Sequence, residues 1–333
     1  MTNRPAPQAA GSVRRDELAQ EFLRYRPRLM AIAYRMLGCA WDAEDVVAEA
    51  MVRWLGVDRP QVREPVAFLT TVVTRLALDH LRSARATRER YVGPWLPEPV
   101  LTAASVSSPT GGAPSASGPL DVLERREAAS LATLRMMEAL TPPERAVLVL
   151  HDAFDTPYPE IADVLGITVD GARQHLHRAR ARLRRGDDGD EAAEDGQGQG
   201  RSPVKRFEPE PDAHEALFER FIDALDGGDL DELRDLLAAD AVAYSDGGGK
   251  VRAARHPLAG ADRVVRFYGG LRQRLPLGDV RRVEVNGRPA ALLRFGEQFL
   301  VLSVEVRDGK IAEIHSVLNP DKLRYLRRQL GPS

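Results

Sequence analysis

The sequence predicts a multidomain fold: two all-α units, the second carrying a helix-turn-helix, followed by a C-terminal α+β domain. Three observations carry this. Apolar residues recur at helical spacing in two separate stretches, a Gly-centred turn joins two short amphipathic segments, and strand-like runs with turn dipeptides fill the end. With 333 residues, the chain has room for two or three domains.

From Arg15 to Arg90 the pattern is helical. Leu29, Ile32, Ala33, Met36 and Leu37 form one buried stripe. Val47, Ala50, Met51, Trp54 and Leu55 form a second, and Leu69, Val72, Val73, Leu76 and Ala77 a third. Gly38 and Pro60 fall between the stripes, where breakers belong. Residues 1–14 read as a disordered arm, 15–90 as the first unit and 91–120 as a linker. Leu101 to Leu120 is so rich in Ser, Ala, Gly and Pro that it is expected to stay flexible, spanning roughly 25 Å.

Residues 121–185 are the second helical unit. Thr141-Pro142-Pro143-Glu144 combines an N-cap, a proline at the first helical position and a capping-box acid. Ile161, Ala162 and Leu165 give the inner face of a short helix. Gly166-Ile167-Thr168 gives the turn, and Ala172, Leu176, Ala179 and Leu183 give the inner stripe of the next helix.

That second helix is basic. Arg173 to Arg185 holds six arginines and no acid, while Asp187 to Asp195 holds six acids and no base, so the net charge of −2 hides two opposed blocks. Thr168, Asp170, Arg173, Gln174, His177, Arg178 and Arg180 lie where a helix-turn-helix meets the major groove. Arg180, Arg182, Arg184 and Arg185 suit phosphate contacts. A solvated basic helix in a bundle is the plainer alternative.

Residues 186–211 read as an acidic, Gly-rich linker, and 212–333 as the α+β domain. Helical patterns cover Asp212 to Asp226, Leu230 to Leu237 and Gly260 to Leu275. Strand patterns cover Val280 to Val285, Ala290 to Phe295, Gln298 to Val306 and Lys310 to Val317, with Asn286-Gly287 and Asp308-Gly309 as hairpin turns.

No apolar run of about 18 residues is present, so no transmembrane helix is expected. Met1 to Gly11 has no apolar signal core, which leads to a cytoplasmic expectation. The single cysteine, Cys39, has no metal-ligand partners near it in sequence, and neither a metal nor a cofactor is expected.

Tyr158-Pro159-Glu160-Ile161-Ala162, Leu165-Gly166, Arg178-Ala179-Arg180 and Leu183 resemble domain 4 of the extracytoplasmic-function sigma factors. Ala43-Glu44-Asp45-Val46-Val47, Ala67-Phe68-Leu69 and Leu78-Asp79-His80-Leu81-Arg82 resemble domain 2 of the same family. Three further segments resemble the subgroup with a fused SnoaL-like (NTF2-like) extension, a cone-shaped fold with a pocket. These are Tyr91-Val92-Gly93-Pro94-Trp95-Leu96-Pro97-Glu98-Pro99, Asp246-Gly247-Gly248-Gly249-Lys250 and Asn319-Pro320-Asp321-Lys322-Leu323. The resemblance covers nearly the whole chain, although the inserts around Ser105 to Pro119 and Asp187 to Gly200 are long for the subgroup.

The resemblance implies a factor that brings core RNA polymerase to promoter DNA. Domain 2 would read the −10 element through Arg75, Asp79, Arg82 and Arg85, with His80 on the apolar side. Asp42, Glu44 and Asp45 would contact the β′ clamp helices; on the residues alone they equally suit a helix N-terminus. Domain 4 would read the −35 element and meet the β flap. Trp95, Leu96, Pro97, Glu98 and Pro99 are expected to dock against Asp246 to Lys250, whose glycines allow close backbone approach. Asn319 to Leu323 would complete that regulatory surface. His256, His315, Asp246, Tyr244 and Tyr268 are candidate acid–base groups. No spacing unites them, so no catalytic residue is assigned and any pocket ligand is open. The alternatives are a stand-alone DNA-binding regulator, or a regulator fused to a SnoaL-like enzyme.

Overall fold

The computed structural model describes residues 7–58, 62–88, 91–103, 129–187, 211–274, 279–295 and 298–331. Helices α1 (Pro7–Leu37), α2 (Ala40–Leu55) and α3 (Pro65–Arg88) form the first unit. Gly38, at φ +67°, ends α1. Cys39 caps α2, its Sγ accepting from the Asp42 N–H at 3.4 Å. The predicted stripes face inward, and Trp54 is fully buried with its indole N–H on the Leu18 carbonyl at 2.9 Å. The segment read as an arm is helical from Pro7 onward.

The second unit holds α4 (Leu131–Met136), a 3-10 turn, α5 (Pro142–Leu148), a π-helical turn over Val149–Ala153, α6 (Tyr158–Leu165) and α7 (Val169–Asp187). Glu144 closes the capping box by accepting from the Thr141 N–H at 3.0 Å. Between α6 and α7, Gly166 takes φ +66°, and Thr168 Oγ1 accepts from the Gly171 N–H at 3.0 Å. One continuous apolar core runs through both helical units, joining residues such as Met36, Val73, Leu150 and Ile161.

The interdomain linker contributes a short strand, β1 (Leu101–Ala103). The third unit consists of α8 (Pro211–Gly227), α9 (Leu230–Leu236), β2 (Leu237–Asp246), β3 (Leu258–Ala259), α10 (Ala261–Arg274), β4 (Val280–Val285), β5 (Arg288–Phe295), β6 (Gln298–Arg307), β7 (Lys310–Val317) and α11 (Arg324–Leu330). The sheet runs β1-β4-β5-β6-β7-β2-β3, with the linker strand at one edge. Among these pairings only β2 with β7 is parallel. Asn286-Gly287 and Asp308-Gly309 turn with positive φ at both residues, the geometry of tight hairpins.

Both faces of the sheet are covered. Ala291, Leu293, Leu302 and Ile314 pack on α8, α9 and α10. Ala290, Leu292, Val301 and Val317 pack on Leu96, Leu131, Leu323 and Leu326. The second set fastens the sheet to the linker, to α4 and to α11. Two parts of the sequence reading change. Residues 101–103 are a paired edge strand rather than flexible linker, while 104–120 lie outside the described residues. Residues 237–246, read only as far as a helix end, form the long strand β2.

Candidate functional sites: the basic helix and the Asp246 clasp

On α7, Gln174 and His177 are exposed, as the groove-facing assignment requires. Arg173 is exposed too, ion-paired with Asp170 at 2.8 Å and lying over the Tyr158 ring at 5.5 Å. Thr168 acts as the helix cap. The later arginines are less free than the sequence implies. Arg180 pairs with the buried Asp152 at 2.6 Å. Arg182 and Arg178 approach the buried Glu144 carboxylate at 2.5 and 3.5 Å. Burial alone would raise the Glu144 pKa. Hydrogen bonds from the Thr141 backbone and side chain, then Arg182 and Arg178, carry it below the usual carboxylate range. Half of the basic face therefore anchors α7 onto α5 and the π-helical turn after it.

In the first unit, Asp79 and Arg82 form an exposed pair at 3.0 Å. Arg75 departs from its reading as an available DNA contact. Its guanidinium donates to the Val164 carbonyl at 2.9 Å and the Asp163 carbonyl at 3.1 Å, tying α3 to the last turn of α6. His80 is not in the core either; it is half-buried, with Nε2 3.1 Å from Asp42 Oδ2. The Arg85 side chain lies outside the described residues. Asp45 is exposed. Glu44 instead accepts from the Tyr325 hydroxyl at 3.1 Å and from Arg328 at 3.2 and 3.3 Å, so α11 covers it.

Asp246 ends β2 fully buried and gathers the linker around itself. It accepts from the Tyr91 hydroxyl at 2.5 Å, the Leu96 N–H at 2.8 Å and Lys322 Nζ at 2.7 Å. Lys322 also donates to the Leu96 carbonyl and sits 4.0 Å from the Trp95 ring centre. Asn319 donates to the Tyr91 hydroxyl at 2.7 Å. Lys250 pairs with Asp321 at the surface. A Cβ on Gly248 would fall 2.2 Å from Asn319 Nδ2 and 3.0 Å from the Tyr91 oxygen, and one on Gly249 3.2 Å from Val92. Gly248 also has φ +58°. Gly248→Ala is therefore expected to loosen the clasp by about 1–3 kcal/mol through backbone strain alone, read as faster chymotryptic cleavage after Trp95.

A profile described as Sigma-70 region 2 matches residues 22–87, and one described as Sigma-70, region 4 matches residues 130–183. The ECF RNA polymerase sigma factor SigJ of Mycobacterium tuberculosis (strain ATCC 25618 / H37Rv) is 37% identical over 313 residues, covering 91% of this chain and 92% of the relative. The chain belongs to the ECF RNA polymerase sigma factors. The probable ECF RNA polymerase sigma factor SigI of the same strain is 31% identical over 326 residues, covering 95% of this chain and 98% of the relative. The crystal structure of SigJ superposes with a TM-score of 0.70 at 33% identity, covering 92% of this chain and 98% of that one.

This ECF sigma factor has a C-terminal helix-and-sheet unit whose acid–base candidates do not converge. Tyr268 faces a cavity inside the unit, Asp246 faces the linker, His256 is exposed, and Tyr244 and His315 stack on the opposite sheet face. Among the described residues no helix is long and apolar enough to cross a membrane, and no cluster of His, Cys, Asp and Glu is arranged to hold a metal.

Several seam residues escaped the sequence reading. Tyr34 donates to the Glu98 carbonyl at 2.5 Å, and the Ala40 N–H donates to Glu98 Oε2 at 2.8 Å. Asn286 donates to the Tyr34 hydroxyl at 2.8 Å and the Ala129 carbonyl at 2.9 Å, joining the first unit, the start of the second and the sheet. Arg135 of α4 pairs with Glu313 of β7 at 2.5 Å. Asn286 was legible only as a turn residue, and nothing in its local sequence marks the second role.

Two seam carboxylates make the assembly sensitive to pH. Burial pushes Glu98 up to about 7, and burial, only partly offset by Arg288, pushes Glu305 up to about 7. Each group stays protonated in the folded chain between its unfolded pKa and about 7, where the unfolded chain has released the proton. The stability these two groups contribute therefore falls as pH rises from about 4.5 to 7 and then levels off, while buried His214, lowered to about 4, contributes in the opposite direction. Glu305→Gln removes that loss. Its denaturation midpoint is expected to exceed the parent's at pH 8, by an amount worth about 2–3 kcal/mol, with the gap closing near pH 5.

Proposed function

We propose that this sigma factor directs core RNA polymerase to promoters, with its C-terminal unit modulating that activity in cis. The first helical unit meets the −10 element through Asp79, Arg82, Arg85 and, once released, Arg75. It meets the β′ clamp helices through Asp42, Glu44 and Asp45. The second unit meets the −35 element through the exposed face of α7 and lies against the β flap. Residues 91–99, Asp246 to Lys250 and Asn319 to Leu323 form the regulatory surface.

One observation carries the cis-regulatory part: surfaces assigned to DNA and polymerase are occupied from within the chain. Arg75 is bonded to α6, and Glu44 to α11. A chain in this arrangement must break those bonds to engage both promoter elements. Any signal shifts that equilibrium only by its differential affinity for the closed and open states.

The test is in vitro transcription with core polymerase, comparing the full chain with truncations before Asp212 and before Asn319. Altered output is expected, and equal output from every truncation would contradict the modulating role. On α7, Gln174→Ala is expected to weaken binding to the preferred −35 sequence about 10- to 100-fold and relax specificity at one base pair. Arg184→Ala is expected to weaken all sequences alike and to reduce the slope of log affinity against log salt by about 1. Holoenzyme binding at several salt concentrations separates the two.

A further inference from the structure

Charge on the C-terminal unit is segregated. Residues 211–236, which form α8 and α9, hold nine acids against two bases, Arg220 and Arg234. Residues 250–273 run from the loop after β2 through β3 and most of α10. They hold six Lys and Arg against one acid, Asp262.

Part of that positive charge is neutralised within the unit. Lys250 pairs with Asp321, and Arg272 donates to the Asp226 carbonyl at 2.8 and 3.1 Å. Asp262 is engaged by Arg234 at 3.1 Å, so it does little to offset its neighbours on α10. Arg252, Arg255, Arg263 and Arg266 differ. All four are exposed, and among the described residues none of their side chains has an ion pair or hydrogen bond. By contrast Arg220 pairs with Glu232 at 2.6 Å, Arg282 with Glu219 and Asp223, and Arg307 with Asp240.

The four arginines are grouped by the fold. Arg263 and Arg266 are neighbours on one face of α10 and line an open groove with Ala259 and Gly260. Arg252 and Arg255 stand on the loop that leads into β3. A Cβ on Gly93 would lie 3.9 Å from the Arg255 Cα, so this surface adjoins the linker between the two helical units. No large apolar side chain is exposed between residues 250 and 273. A protein partner would call for an apolar or aromatic anchor at the centre of its contact. A phosphate backbone calls only for positive charge and donors, and the guanidinium fork matches phosphate oxygens.

We propose that Arg252, Arg255, Arg263 and Arg266 hold the phosphate backbone of promoter duplex without reading its sequence, as a third DNA contact beside those of the two helical units. This rests on the reading of the chain as a promoter-binding sigma factor. The C-terminal unit then contributes affinity and salt dependence to the promoter complex, while the choice of sequence stays with the helical units.

The test measures binding of holoenzyme to promoter duplex at several salt concentrations. Changing all four arginines to glutamine is expected to reduce the slope of log affinity against log salt by about two to four, one for each lost phosphate contact up to the full set. The same four positions changed to lysine should keep most of the parent slope, because the charge remains. Arg220→Gln combined with Arg307→Gln alters charge elsewhere on the unit and should leave the slope unchanged. All these side chains lie at the surface, and thermal melting checks that each variant is folded. A parent-like slope in the glutamine variant, or an equal loss in the Arg220 and Arg307 control, overturns the proposal. Weaker binding to core polymerase with unaltered binding to DNA also overturns it, and assigns the surface to an acidic protein face. If the parent holoenzyme binds promoter and the glutamine variant binds it identically, only this surface fails. If the parent holoenzyme binds no promoter, the sigma-factor reading falls with it.

Discussion

Replacing Asp246 by alanine is expected to detach residues 91–100 from the C-terminal unit. The carboxylate is fully buried and serves three donors, while Lys322 is itself buried beside it. Removing one partner of a buried ion pair leaves the other charge unpaired and costs about 3–5 kcal/mol. That loss exceeds a hundredfold in the docking equilibrium. Chymotrypsin should then cut after Trp95 at a correspondingly higher rate, provided reclosing is fast relative to cleavage. Lys322→Met should be milder, because Asp246 keeps the Tyr91 hydroxyl and the Leu96 N–H. The double variant should lose less than the sum of the two, since it leaves no unpaired ammonium. Additive losses would show that the two side chains act separately.

Replacing Arg145 by methionine is expected to lower stability while raising affinity for core polymerase. Arg145 is buried on α5, and three of its bonds divide between two units. Nη1 donates to the Met36 carbonyl at the end of α1 at 2.8 Å, Nε to the Met137 carbonyl at 3.0 Å, and Nη2 to Glu138 at 2.6 Å. Hydrogen bonds to charged groups contribute about 1.5–3 kcal/mol each. The Met36 bond exists only while the helical units are together, so its loss favours their separation by about 10- to 100-fold. The bonds to Met137 and Glu138 lie within the second unit, and their loss lowers thermal stability in both states. A variant that is less stable and binds polymerase no better would place Arg145 outside the closing mechanism.

The helical units were legible because each shows its apolar face at a fixed spacing. Leu69, Val72, Val73, Leu76 and Ala77 are a stripe before they are a core. Gly166 and Thr168 marked the turn through backbone geometry that few residues satisfy. The hairpins were legible through Asn286-Gly287 and Asp308-Gly309. What failed was whatever depends on distant partners. Strand β2 contains Ala238, Ala239, Ala241 and Ala243, poor strand formers individually, and it exists because β7 pairs with it in parallel. Residues 101–103 pair with β4, whose residues lie far along the chain at Glu284 and Val285. Arg75 was placed off the apolar stripe of α3, and it is; the carbonyls it meets belong to a helix almost ninety residues away. The glycines of residues 247–249 signalled close approach, but the approaching residues, Tyr91, Val92 and Asn319, are fixed only by the fold.

The two helical units share one core in the free chain and are expected to part when polymerase binds. Fluorophores on cysteines introduced by Val52→Cys and Glu160→Cys, both at exposed positions outside the residues assigned to DNA, report the separation by energy transfer. The native Cys39 thiol is pushed up by burial and competes poorly for label. Low transfer on addition of core polymerase, against high transfer in the free chain, is the predicted result. Unchanged transfer in a complex that transcribes from a promoter would contradict it.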